Sequence, residues 1–164
     1  MGALEHAASL SLPDWWICAG FVRSKVWDTL HGFDERTDLP DVDVIYFEAE
    51  KQDEQIEKIY EQELKKLDSS IQWSVKNQAR MHRVNQVASY QSSKDGMSKF
   101  PETATAIGVT LDRKGQLHIY AAYGVDDLIA MKIRPTPSFE ESRIFQDRLM
   151  KKEWSRVWPK VTKV

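Results

Sequence analysis

The sequence predicts an α/β (α+β) protein: a mixed sheet with helices packed mainly on one face. Three observations carry this expectation. A short apolar run ends at Gly20 and gives way to a helical repeat, a β-branched and aromatic run spans residues 39–47, and strand-like and helix-like segments alternate through the first half of the chain.

Residues 15–18 are apolar and too few for a helix, so they read as a strand that turns sharply at Gly20. Val22, Val26, Trp27 and Leu30 then recur at helical spacing, and Gly32 sits where that helix would stop. Residues 39–47 read as a second strand. Residues 50–67 form an amphipathic helix with Ile56, Ile59, Tyr60, Leu64 and Leu67 on one face and a Glu61–Lys65 pair on the other. Residues 71–75 give a third strand running on into Lys76, Asn77 and Gln78. Residues 85–101 are mostly polar and read as a loop with one short helix. Residues 103–111 and 116–120 flank Asp112-Arg113-Lys114-Gly115 as a hairpin. A helix over 126–134 stops at Pro135, and a capping box at Ser138 and Glu141 opens a last helix from about 138 to 154. The expected order is β-α-β-α-β, a hairpin, then helices, all in one domain over residues 1–164.

At 164 residues, 41% hydrophobic and 29% charged, the chain has the makings of one globular core. A net charge of −2 argues against a dedicated DNA-binding surface, although one basic cleft is compatible with it. The single cysteine, Cys18, rules out a disulfide framework and a cysteine-based zinc site. There is no apolar run of membrane-spanning length and no basic-then-apolar start, so a cytoplasmic protein with no membrane partner is expected.

The sharpest chemical feature is Asp41-Val42-Asp43 inside the second strand. Alternation puts both carboxylates on one face, roughly 6–7 Å apart along the backbone, while Val42 and Val44 turn to the core. Two like charges so placed need water or a cation between them. Divalent cations clamping the oxygens of a phosphoryl displacement would fit, and oxygen ligands favour magnesium, with manganese as the alternative. The same dipeptide also occurs at exposed strand starts, which Pro40 marks here. Some twenty residues earlier, Gly20 allows close backbone approach, the first amides of the following helix favour phosphate, and Arg23 offers a charged fork.

Residues 19–24 (AGFVRS), Leu30-His31-Gly32 and Asp41-Val42-Asp43-Val44 resemble the Gly-Gly-x-Val-Arg-Asp … Leu-x-Gly … Asp-x-Asp signature of CCA-adding enzyme and poly(A) polymerase heads. Residues 103–109 resemble that family's Arg-Asp-Phe-Thr-Ile-Asn-Ala strand, and residues 123–128 with Ile133-Arg134 its Gly-x-x-Asp-Leu … Ile-Arg helix. Residues 73–82, with LPDWW and AGFVR, look closer still to stand-alone bacterial nucleotidyltransferase-family proteins. The resemblance implies a polymerase-beta-type nucleotidyltransferase fold. It implies a metal-dependent transfer of a nucleoside monophosphate from a nucleoside triphosphate to a hydroxyl acceptor, whether a small molecule, a protein or an RNA end. Asp41 and Asp43 would be the catalytic metal ligands, and Gly20, Arg23, Lys76 and Arg134 would meet the nucleotide. Ala19 departs from the first glycine of the signature and Ser24 from its aspartate. The strand over 75–80 offers no third carboxylate. These departures keep open a nucleotide- or RNA-binding module without turnover. The neck, body and tail that grip transfer RNA in the full enzymes have no counterpart in these residues, so CCA addition itself is not expected.

Four histidines without ligand spacing, the tryptophans and the basic stretch from Lys151 to Lys163 read as packing and solvated surface.

Overall fold

A computed structural model describes residues 2–164. Its elements are α1 (Gly2–Ser9), β1 (Trp16–Cys18), α2 (Gly20–His31), β2 (Val42–Tyr46), α3 (Glu54–Leu67), β3 (Trp73–Asn77), α4 (Gln78–Asn85), α5 (Ser93–Ser98), β4 (Ile107–Leu111), β5 (Leu117–Ala121), α6 (Asp126–Ile129), β6 (Lys132–Ile133), a 3₁₀ turn (Pro137–Phe139), α7 (Arg143–Lys151), α8 (Trp154–Val157) and β7 (Thr162–Lys163). Five strands form one mixed sheet in the order β3-β2-β1-β4-β5. β2 and β3 run parallel, joined through α3, and the other pairs are antiparallel.

One sheet face carries the main core, in which Ile17, Val44, Tyr46, Leu64 and Val75 are wholly buried against α1 and α3. The opposite face carries only a small cluster, Trp16, Cys18, Ile45 and Met97, which leaves room beside it for a cleft. A third cluster joins Trp27 of α2 to Phe145, Trp154, Trp158 and Val161, so the C-terminal segment docks on α2. The indole N–H of Trp27 donates to the Leu128 carbonyl at 2.9 Å, and that of Trp158 to Asp28 at 2.8 Å. The indole N–H groups of Trp27 and Trp158 are thereby satisfied.

Several elements differ from the sequence reading, each for a local reason. Helix α1 lacks strong periodicity but buries Leu4 and Ala7 against the sheet. Helix α3 is rotated from the expected face: Ile59 and Leu67 are exposed while Glu57 is buried. The cause is the edge of β3, whose amides need acceptors. The Val75 N–H donates to Glu61 and the Asn77 N–H to Glu57, both at 3.0 Å. Glu61 consequently pairs with Lys58 and Lys76 rather than Lys65. Strand β3 ends at Asn77, whose side chain caps α4 by accepting the Ala79 N–H at 3.1 Å. Arg80 therefore lies on a helix, not on the continuing strand expected over 75–80. The helix expected over 126–134 is one turn, α6, followed by β6. The long final helix opens instead at Ser142, which caps α7, and breaks between Lys151 and Trp154.

The sharp turn after β1 falls at Ala19, not Gly20. Ala19 has φ 53° and ψ −118°, a region that penalises any Cβ. Ala19→Gly is expected to relieve this strain by more than glycine's added chain entropy costs, a net gain of about 1 kcal/mol. Thermal denaturation should show the midpoint rising by roughly 2–4 °C, and an unchanged or lower midpoint would count against strain at this turn.

Candidate active site

The cleft opens where the end of β1 meets the start of β2. The register Cys18↔Asp43 places Asp43 directly beside the chain that turns into α2, with Ser74 of β3 on its other side. Asp41 lies just before β2 and is exposed, whereas Asp43 is half-buried. Both line a cavity of about 320 Å³. Burial, then the Asp41 charge, pushes the Asp43 carboxyl up to about 6, with Ser74, Lys152 and Lys76 opposing. The neighbouring Cys18 thiol is buried in the sheet and raised well above its ordinary range by that burial and by the same two aspartates, so it is inert.

Across the cleft stands the start of α2. The Ala19 carbonyl accepts the Val22 and Arg23 amides at 3.2 and 3.0 Å, and no side chain caps the helix. The Gly20 and Phe21 amides therefore have no intrahelical acceptor and remain available to an anion. Arg23 extends from this turn, only 8% exposed, with its guanidinium carbon 4.9 Å from the centroid of Trp154, 5.3 Å from Trp27 and 5.7 Å from Trp158. It bonds Ser24 at 3.3 Å, but its Nε is buried without a partner, and among the described residues no carboxylate pairs with it. Burial lowers the Arg23 guanidinium to about 10, an effect Glu102 partly offsets.

The cleft thus gathers Gly20, Arg23, Asp41, Asp43 and Lys76. Lys76 is shared with Glu61 at 3.4 Å and Glu57 at 3.7 Å. Arg134 is not brought in: it is exposed, outside the cavity lining, and paired with Asp127 at 3.1 Å. That pair, with Thr103 bonded to the same carboxylate at 2.8 Å, ties α6 to the turn before β4. Three cations that the sequence reading passed over line the cleft: Lys99, and Arg148 and Lys152 from the C-terminal segment. The signal for the last two was their i,i+4 spacing, which puts them on one helix face, but nothing local said that this face folds back over β1 and β2. Glu102, the carboxylate whose charge acts most on Arg23, is fully engaged. It is 1% exposed and takes Arg148 at 2.7 and 3.3 Å and the Thr105 hydroxyl at 2.7 Å. Among the described residues no three acidic, histidine or cysteine side chains converge as a metal cluster.

The mixed sheet thus holds an acidic pair opposite an uncapped helix start and a buried arginine that has no carboxylate partner among the described residues. Residues 5–163 match the model of a nucleotidyltransferase family, and the chain belongs to that family. It is 35% identical, over 99% of its length and 87% of the other chain, to a protein whose NMR structure reveals a CCA-adding enzyme head domain, with a TM-score of 0.86. The fold also matches the Thermotoga maritima CCA-adding enzyme in complex with tRNA (14% identity, TM-score 0.58) and a tRNA-processing enzyme in its apo form (19%, 0.57). The chain spans 37% and 41% of those two longer chains while being covered itself over 99% and 98%. No curated protein matches it. No helix among the described residues is long and apolar enough to cross a membrane.

Proposed function

We propose that this protein is a metal-dependent nucleotidyltransferase that moves a nucleoside monophosphate from a nucleoside triphosphate to a hydroxyl acceptor. The observation that carries the reading is Arg23. A buried guanidinium without a carboxylate partner is costly, and it is kept beside a cleft whose other wall carries two aspartates. A triphosphate bridging the two walls supplies the missing anion to Arg23 and the free α2 amides. Lys152 and Lys76 add positive charge around it.

Asp41 and Asp43 fit a hard divalent cation, magnesium or manganese: burial, then the Asp41 charge, pushes the Asp43 carboxyl up to about 6, and a bound cation would offset both by favouring the ionised form. When bound, such an ion neutralises phosphate charge as a Lewis acid. The engaged state of Glu102 favours a second reading, a nucleotide-binding module without turnover. Calorimetric titration of the four nucleoside triphosphates and of inorganic tripolyphosphate, with and without magnesium, tests the shared part. Magnesium-dependent binding that weakens about tenfold or more in Asp41→Asn is expected, and no binding by any of them would reduce the family membership to a statement about fold. Steady pyrophosphate release in the presence of an acceptor separates the two readings.

Gly20 gives a sharper check on the phosphate side. A methyl group built there meets only the Arg23 side chain, at an ordinary 3.6 Å, so the fold tolerates alanine. Gly20→Ala should leave the thermal midpoint unchanged or slightly raised while weakening tripolyphosphate binding by about tenfold. Unaltered binding would mean that phosphate does not approach this turn.

A further inference from the structure

A second cavity, of about 780 Å³, adjoins the cleft and shares Asn85, Tyr90, Lys99, Phe100, Pro101 and Arg148 with it. Beyond that shared rim its lining is mostly apolar, with Val84, Val87, Ala88, Phe139 and Ile144 against the uncharged polar Gln86 and Ser138. Val84, Val87 and Ile144 are 56%, 50% and 60% exposed, so the core does not account for them. Its only cations, Lys99 and Arg148, stand at the junction. Arg148 is taken by Glu102, while Lys99 makes no ion pair among the described residues.

The order of strands fixes which side of the cleft this cavity serves. In-line displacement places the attacking and leaving oxygens on opposite sides of the phosphorus. On the functional reading above, on which this inference rests, pyrophosphate leaves toward Gly20 and Arg23, on the β1–α2 side of β2. The nucleophile then enters from the β3–α4 side, where Met81 and Asn85 line the cleft and Tyr90 leads into the second cavity.

We infer that this second cavity seats the acceptor, and that the acceptor is a small hydroxylated molecule with an apolar, ring-sized body and one anionic group for Lys99. Apolar walls with a few polar groups at one end are the usual form of a small-molecule site. An RNA end fits poorly, since it brings a phosphate with each nucleotide and the outer walls hold no lysine or arginine to meet them.

The test uses 8-anilinonaphthalene-1-sulfonate, an apolar ring system with one anion, titrated by fluorescence into the full chain. One saturable site is expected, weakened about tenfold or more in both Val87→Asp and Ile144→Asp. Neither residue lines the cleft, so tripolyphosphate binding should be unchanged in these variants. Magnesium–ATP should leave the probe bound, because acceptor and nucleotide occupy the site together. Absence of a saturable site, or binding indifferent to both substitutions, overturns the assignment. So does displacement by ATP but not by tripolyphosphate, which would give the cavity to the nucleobase, or displacement by an RNA oligonucleotide with a free 3′-hydroxyl. Failure of the wild type to bind tripolyphosphate sinks the transferase reading itself, and it is read in a separate titration.

Discussion

Asp43→Asn should make the metal-free protein more stable and less active at once. The carboxyl of Asp43 ionises near 3.8 in an unfolded chain and near 6 in the fold, where burial and Asp41 oppose its charge. Below pH 3.8 both states hold the proton and nothing is lost. Between those values the folded state binds the proton more tightly, so stability falls as pH rises, and above pH 6 the full cost is present. The shift corresponds to a cost on the order of 2–3 kcal/mol. Asparagine keeps the shape and removes the charge, so thermal unfolding at pH 8 without metal should show a higher midpoint for the variant, with the gap closing toward pH 4. Magnesium should stabilise the wild type at pH 8 and leave the variant unmoved. Transfer should fall by roughly 10²–10³-fold or more, as happens when a group that stabilises transition-state charge is lost. A variant that is destabilised at pH 8 would show that Asp43 is not electrostatically strained, and one that transfers at the wild-type rate would show that it is not part of the chemistry. The pairing is a stability–activity trade-off confined to one residue.

The parts of this site that were legible in the sequence are those set within a few residues. Asp41 and Asp43 share a face because a strand alternates, and Gly20 and Arg23 flank them because a strand-to-helix turn brings the first helical residues beside the neighbouring strand. What the sequence did not disclose depends on contacts between distant segments. Glu57 and Glu61 look like a solvated helix face until β3 is seen as an edge strand whose amides they cap. Lys76 points to the cleft but is shared with those same carboxylates, which no spacing rule reveals. Arg148 and Lys152 look like a basic helix end, and they reach the cleft only because Trp154 and Trp158 dock on Trp27, more than 120 residues earlier in the chain. Arg134 matched the resemblance by position, but Asp127 holds it on the outside. Alignment with a motif gives the order of residues along the chain, whereas the partner that claims a side chain is a tertiary fact.

Arg23→Met is expected to separate what this residue does for the fold from what it does for the ligand. Methionine is shorter than arginine but close to it in volume, and its thioether also packs on aromatic rings, so much of the packing among Trp27, Trp154 and Trp158 should survive. Beyond the indole faces, the charge on Arg23 gains little from the fold: among the described residues it has no carboxylate partner, its Nε lacks an acceptor, and burial lowers the guanidinium to about 10. Replacing such a buried ion with an apolar side chain of similar volume is commonly neutral or stabilising, so the thermal midpoint should hold or rise. Binding should move the other way. A charge-assisted hydrogen bond contributes about 1.5–3 kcal/mol, and its loss should weaken tripolyphosphate and nucleoside triphosphate alike by roughly 10–150-fold. Arg23→Ala, which also empties the space between the tryptophans, should lose both binding and about 2–4 kcal/mol of stability, marking the packing share. If Arg23→Met unfolds the chain, the guanidinium is a structural group held by the indole rings and Ser24. If it folds and binds tripolyphosphate as tightly as the wild type, the unpaired charge has another use and the phosphates lie elsewhere. The expected result, stability kept and phosphate lost, would mean that the fold carries the cost of a buried cation because the ligand supplies its counter-charge.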